Sequence, residues 1–146
     1  MDDLVSLELA LAALYQACSE RFPDTKGFWL AIQHQEEAHA QSIRGLAGLI
    51  SAHPEEFRSG RPFGSAAIRT IVSSVAAYTE QVRNRQLPRR RALIIARDIE
   101  NSVLEAKYGE IVATDNVEFA GTIRRLAEDT LAHRNLFAAE VAKLPA

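Results

Sequence analysis

Two tight turns fix most of what this chain can become. "FPD" at 22–24 and "TDN" at 114–116 each separate two long segments whose apolar residues recur at helical spacing. Strand signals are nearly absent, while Ala, Leu, Glu and Arg are plentiful. The pattern predicts a first hairpin of helices over 3–21 and 25–52, with Asp24 as the N-cap of the second helix. A second hairpin follows from helices over 88–113, where Pro88 suits a helix start, and 117–143. Between the hairpins lie the Pro- and Gly-rich stretch "AHPEEFRSGRPFGS" and a further helix over 65–85. The expected fold is all-α: a four-helix bundle whose long middle connection contains an extra helix and can cross the bundle. At 146 residues, 1–146 reads as one domain able to bury a core.

Each stripe of apolar residues is interrupted. The first helix runs Leu4, Glu8, Leu11, Tyr15, Cys18, Phe22, and the second runs Phe28, Ile32, Glu36, His39, Ile43, Leu46, Ile50. The helix beginning near Pro88 runs Leu93, Ala96, Glu100, Val103, Lys107 or Tyr108, Ile111. The last runs Phe119, Ile123, Leu126, Thr130, His133, Phe137. The interruptions share a level: at about 1.5 Å per residue, those of the first hairpin lie roughly 20 Å from its turn and those of the second roughly 21–26 Å. Glu36 and His39 are three residues apart and lean to one side of their helix.

A buried, unpaired carboxylate is costly, so such a layer is paired or binds a metal. Carboxylate oxygens with imidazole nitrogens suit iron, manganese or zinc. A Glu from each of two helices plus Glu-x-x-His from the other two is how helical bundles hold two ions. The alternatives are a satisfied Glu36–His39 pair without metal and a solvated Glu8 favoured by the helix dipole. Tyr15 and Tyr108 read either as hydrogen-bond donors to the polar layer or as core residues.

The segments "LELALAALYQAC", "FWLAIQHQEEAHA", "ALIIARDIENSVLEAKY" and "LAEDTLAH" together resemble the ferritin-like superfamily, and within it the rubrerythrin-type proteins. The resemblance implies two iron ions and reduction of peroxide or dioxygen, or oxidation of ferrous iron. Glu8, Glu36, His39, Glu100 and His133 fall on the family's ligand positions. Thr130 stands where the family has a glutamate; Asp129 is the nearest rescue, one methylene shorter than Glu. With one carboxylate lost, two ferrous ions would leave a net +1 site, so a single metal or an empty site used for structure or partner binding is the alternative outcome. The rubredoxin-like module of full-length rubrerythrins is absent, which implies a separate electron-donor protein. The resemblance also implies a homodimer.

Other classes are disfavoured. A net charge of -2 gives no general affinity for nucleic acid or membrane. The single cysteine, Cys18, excludes a disulfide framework or Cys-based zinc site within one chain and reads as a small buried hydrophobe. No apolar run is long enough to span a bilayer, and the acidic start "MDDLVSLE" lacks the basic region of a signal peptide, so a cytoplasmic location is expected. His34 and His53 read as surface residues. The arginines of "RNRQLPRRR", Arg83 to Arg91, read as a solvated face with room for an acidic partner.

Overall fold

The computed structural model describes residues 1–57, 65–108 and 115–145, and these are helical apart from short connections. The helices are α1 (Asp2–Arg21), α2 (Lys26–Ala52), α3 (Ser65–Arg83), α4 (Arg89–Tyr108) and α5 (Val117–Lys143). The all-α expectation holds, and so does the extra helix between the hairpins. Residues 109–113 of the expected fourth segment lie outside the described residues, as do residues 58–64 of the long connection. The Lys107, Tyr108 and Ile111 side chains lie outside them too.

The local signals explain the boundaries, with two corrections. Asp24 does not cap α2. Pro23 opens a 3-10 turn, Pro23–Thr25, which shifts the cap to Thr25. The Thr25 hydroxyl donates back to the Phe22 carbonyl at 3.3 Å and accepts from Trp29 Nε1 at 3.2 Å, so it caps no backbone N–H. The connecting helix ends at Arg83 rather than Arg85. Arg85 takes a left-handed φ of 58°, and Gln86 N–H closes on the Gln81 carbonyl at 2.9 Å, as in a Schellman stop. At the other turn Asn116 does cap: its Oδ1 accepts from Phe119 N–H at 2.9 Å.

α1 packs along α2, and α4 along α5. α3 lies against α1 and α4, and α2 also meets α5. The α5 stripe is buried as spaced, from Phe119 through Thr130 and His133 to Phe137. In α2 the stripe shifts slightly. Trp29 is fully buried, whereas Phe28 is only half-buried. Trp29, Tyr15, Phe28 and Phe137 pack together near one end of the bundle, with ring centroids 5.3–6.0 Å apart. Among the described residues no helix is long and apolar enough to cross a membrane.

Candidate metal centre

α1, α2, α4 and α5 bring five ionisable side chains to one buried layer. Glu8, Glu36, His39, Glu100 and His133 are each at most 4% exposed. That exposure excludes the solvated reading of Glu8. The layer follows from helix geometry: each residue sits on the stripe that faces the core, so folding the stripes inward must bury them.

They form two triads, Glu8–Glu36–His39 and Glu36–Glu100–His133, each with ligand-type atoms within 4.8 Å of one another. Glu36 belongs to both. Its Oε2 lies 3.1 Å from His39 Nδ1, and its Oε1 lies 2.7 Å from His133 Nδ1. Glu8 Oε2 is 3.6 Å from His39 Nδ1, and Glu100 Oε1 is 3.8 Å from His133 Nδ1. The imidazole rings stack with centroids 5.6 Å apart. One carboxylate thus reaches two imidazoles with its two oxygens, and one further carboxylate flanks each imidazole.

The outer nitrogens fix the histidines. His133 Nε2 is 2.6 Å from Gln35 Oε1, and His39 Nε2 is 3.1 Å from Asp129 Oδ2. Both partners are acceptors, so Nε2 of each ring carries a proton; His39 Nδ1 also donates, to Glu36 Oε2 at 3.1 Å, so metal-free His39 is protonated on both nitrogens. Nδ1 of neutral His133 then carries a lone pair facing Glu36 Oε1. The 2.7 Å separation does not make a hydrogen bond, for both atoms are buried without a hydrogen-bond partner. A lone pair facing a carboxylate oxygen is repulsive unless a proton or a cation lies between them. The donor set of three carboxylates and two imidazoles suits a divalent transition metal, so these buried Glu/His clusters could hold a metal ion.

Asp129 occupies a different place from the one proposed for it as a ligand. It joins neither triad. Its side chain is 44% exposed and holds the outer nitrogen of His39. The short Asp side chain, about 100° around the helix from the buried Thr130, reaches the rim and not the centre. A carboxylate on the far nitrogen of a metal-ligating histidine orients the ring and raises its basicity. Thr130 is buried, and its hydroxyl donates to the Leu126 carbonyl at 2.9 Å, so it closes on its own helix. Tyr15 is both core and donor: it is fully buried and donates to Glu100 Oε1 at 2.5 Å. Cys18 is buried, and burial pushes its thiol up to about 12. His34 and His53 are exposed, as expected.

Burial dominates the electrostatics. It pushes Glu36 from 4.5 up to about 8, against the pull of the His39 hydrogen bond and with further upward push from Glu8. It does the same to Glu100, which also reaches about 8, with the Glu36 charge adding to the rise. For His39 burial acts downward, but hydrogen bonds to Glu36 and Glu8 outweigh it and carry the ring from 6.5 up to about 10. Burial lowers His133. Without metal, then, the layer is held together by protons.

A pH dependence follows. Glu36, Glu100 and His39 bind protons more tightly folded than unfolded, so their stabilisation is complete below their unfolded values and is lost as pH rises toward the folded ones. The lowered His133 opposes this only near its own range. The metal-free chain is expected to lose thermal stability steadily from about pH 5 to about pH 8. A divalent ion replaces those protons, so metal binding should release protons and tighten as pH rises. Thermal melts in chelator and in excess manganese check this; a metal-free Tm that rises over the range contradicts it.

One contributor escapes the stripe pattern, and the pattern gives the place of another to its neighbour. Gln35 sits one residue beside Glu36 and has no spacing signal tying it to the layer; Trp29, seven residues before Glu36, lies on the same helix face and takes the stripe position read as Phe28. Comparison with protein-family models, with curated proteins and with solved structures finds no match.

Proposed function

We propose that this chain is a ferritin-like, rubrerythrin-type oxidoreductase holding two metal ions, iron by preference, one on each side of Glu36. The observation that carries the proposal is the sharing of Glu36 between two Glu/His triads. Glu8, His39 and one Glu36 oxygen would hold the first ion; Glu100, His133 and the other oxygen would hold the second. Bound iron supplies the one-electron chemistry by which peroxide or dioxygen is reduced or ferrous iron oxidised. The chain's own residues do the rest. Gln35 and Asp129 hold the imidazoles with Nδ1 inward, and Tyr15 fixes one oxygen of Glu100. The surrounding apolar side chains keep bulk water from the layer. Manganese and zinc suit the same donors. The resemblance adds a homodimer and a separate electron-donor protein to the proposal.

Three carboxylates leave one positive charge uncompensated when two divalent ions are present. Asp129 at the rim offsets it from outside, through His39. Asp129→Asn keeps the shape and removes that charge, and metal affinity should fall by about 10–100-fold. Competition with a fluorescent chelator measures this; unchanged affinity contradicts the role given to Asp129.

Anaerobic titration with ferrous iron, followed by hydrogen peroxide, tests the function. Two equivalents bound and oxidation faster than that of free iron are expected; no binding, or oxidation at the free-iron rate, overturns it. Thr130 favours a second reading, a non-catalytic ferritin-like protein with a mononuclear or empty site. On that reading at most one equivalent binds and peroxide has no special effect.

A further inference from the structure

The aromatic cluster does more than fill one end of the bundle. Tyr15 touches the buried layer through its 2.5 Å hydrogen bond to Glu100 Oε1. Its ring centroid lies 6.0 Å from that of Trp29, with the planes 33° apart. Phe137 packs on both rings, at 5.3 Å and 5.7 Å, and fixes their spacing. Trp29 is the chain's one tryptophan, and its Nε1 donates to half-buried Thr25. Beyond Trp29 lies a recess of about 40 Å³, formed by Thr25, Phe28, Arg89, Leu93, Glu140 and Leu144. The two side chain types most readily oxidised by one electron are thus stacked in series. One end touches the carboxylate layer, and the other faces a recess flanked by Arg89.

We infer that Tyr15 and Trp29 form a one-electron relay between the buried Glu/His layer and the recess beside Arg89. The inference rests on the proposed redox function only for its biological direction, in which a one-electron donor protein at the recess feeds the layer. The transfer itself can be driven without metal. An outer-sphere one-electron oxidant at the recess takes an electron from Trp29 and is reduced. The indole radical cation regains that electron from Tyr15. Above the pH at which Glu100 ionises, the phenolic proton crosses along the hydrogen bond to the Glu100 carboxylate at Oε1, leaving a neutral tyrosyl radical. One electron leaves the chain, and one proton passes from phenol to carboxylate.

The test uses metal-free protein at about pH 9, where Glu100 is ionised, carrying Tyr78→Phe and Tyr108→Phe, so that Tyr15 is the one tyrosine left, and Arg89→Cys to anchor a ruthenium polypyridyl photo-oxidant. Cys18, buried and 1% exposed, does not compete for the label. Flash oxidation is expected to give the tyrosyl radical by transient absorption and electron paramagnetic resonance. Trp29→Phe should abolish that signal. Tyr15→Phe should leave a longer-lived tryptophanyl radical, and this arm does not depend on the Trp29 variant folding. A tyrosyl signal that survives Trp29→Phe, or no tyrosyl signal in the Tyr15 protein, overturns the relay. Because no metal is present, these outcomes are independent of whether the Glu/His layer binds iron.

Discussion

Glu36→Gln is expected to abolish both metal ions at once while making the metal-free protein more stable at pH 8. The two effects have one cause. Glu36 is the carboxylate common to both triads, so a neutral amide of the same shape removes an anionic ligand from each. Without metal, however, the Glu36 carboxylate is a liability: burial raises it from 4.5 to about 8, and folding at pH 8 must hold it against that cost. Ion binding at 100 times the Kd stabilises a fold by about 2.7 kcal/mol per site, and that stabilisation should vanish. Glu8→Gln and Glu100→Gln should each lose one ion and keep the other, because each belongs to one triad. Thermal melts with and without manganese, alongside metal analysis, check all three variants. The reverse is expected for Glu36→Gln where the Glu36–His39 hydrogen bond, which helps carry His39 up to about 10, outweighs the burial cost of the carboxylate. Breaking a buried pair is destabilising, so its metal-free Tm would fall.

The second large effect concerns the packing that holds Tyr15. Phe137→Ala should cost about 3–5 kcal/mol, the range for deleting a buried aromatic ring and leaving a cavity. Phe137 is fully buried and meets Tyr15, Phe28 and Trp29 at centroid distances of 5.3–5.7 Å. Against a total of about 5–15 kcal/mol for a domain, the loss is a large share. In urea the midpoint should drop at unchanged slope. A loss below about 1 kcal/mol would mean that the cluster packs far more loosely than its ring contacts indicate.

How much of this could be read from the sequence depends on whether a residue lies on a stripe. The five buried Glu and His residues did, because a stripe that faces the core carries whatever it holds inward, and a helix samples that face every three or four residues. Their common level followed from counting back to the two turns. Thr130 was legible as a buried stripe position without a carboxylate; that its hydroxyl closes on its own helix is what the structure adds. Asp129 was singled out only as a substitute ligand and Gln35 not at all, since each stands one residue off the stripe. Their reach to the outer nitrogens of His39 and His133 depends on how α2 and α5 are rotated against each other. Periodicity within one helix carries no information about that rotation. The Asp24 cap was misplaced for a local reason: Pro23 favours a tight turn, which consumed the residue that would have capped. The packing of α3 on α1 and α4 depends on the course of a long connection, which its Gly and Pro residues mark but do not direct.

The central claim is that Glu36 is shared between two ions, and anomalous diffraction from crystals grown with manganese tests it most directly. The account predicts two peaks on opposite sides of the Glu36 carboxylate, one beside His39 Nδ1 and one beside His133 Nδ1. A single peak, peaks away from the Glu/His layer, or no peak at all would contradict it.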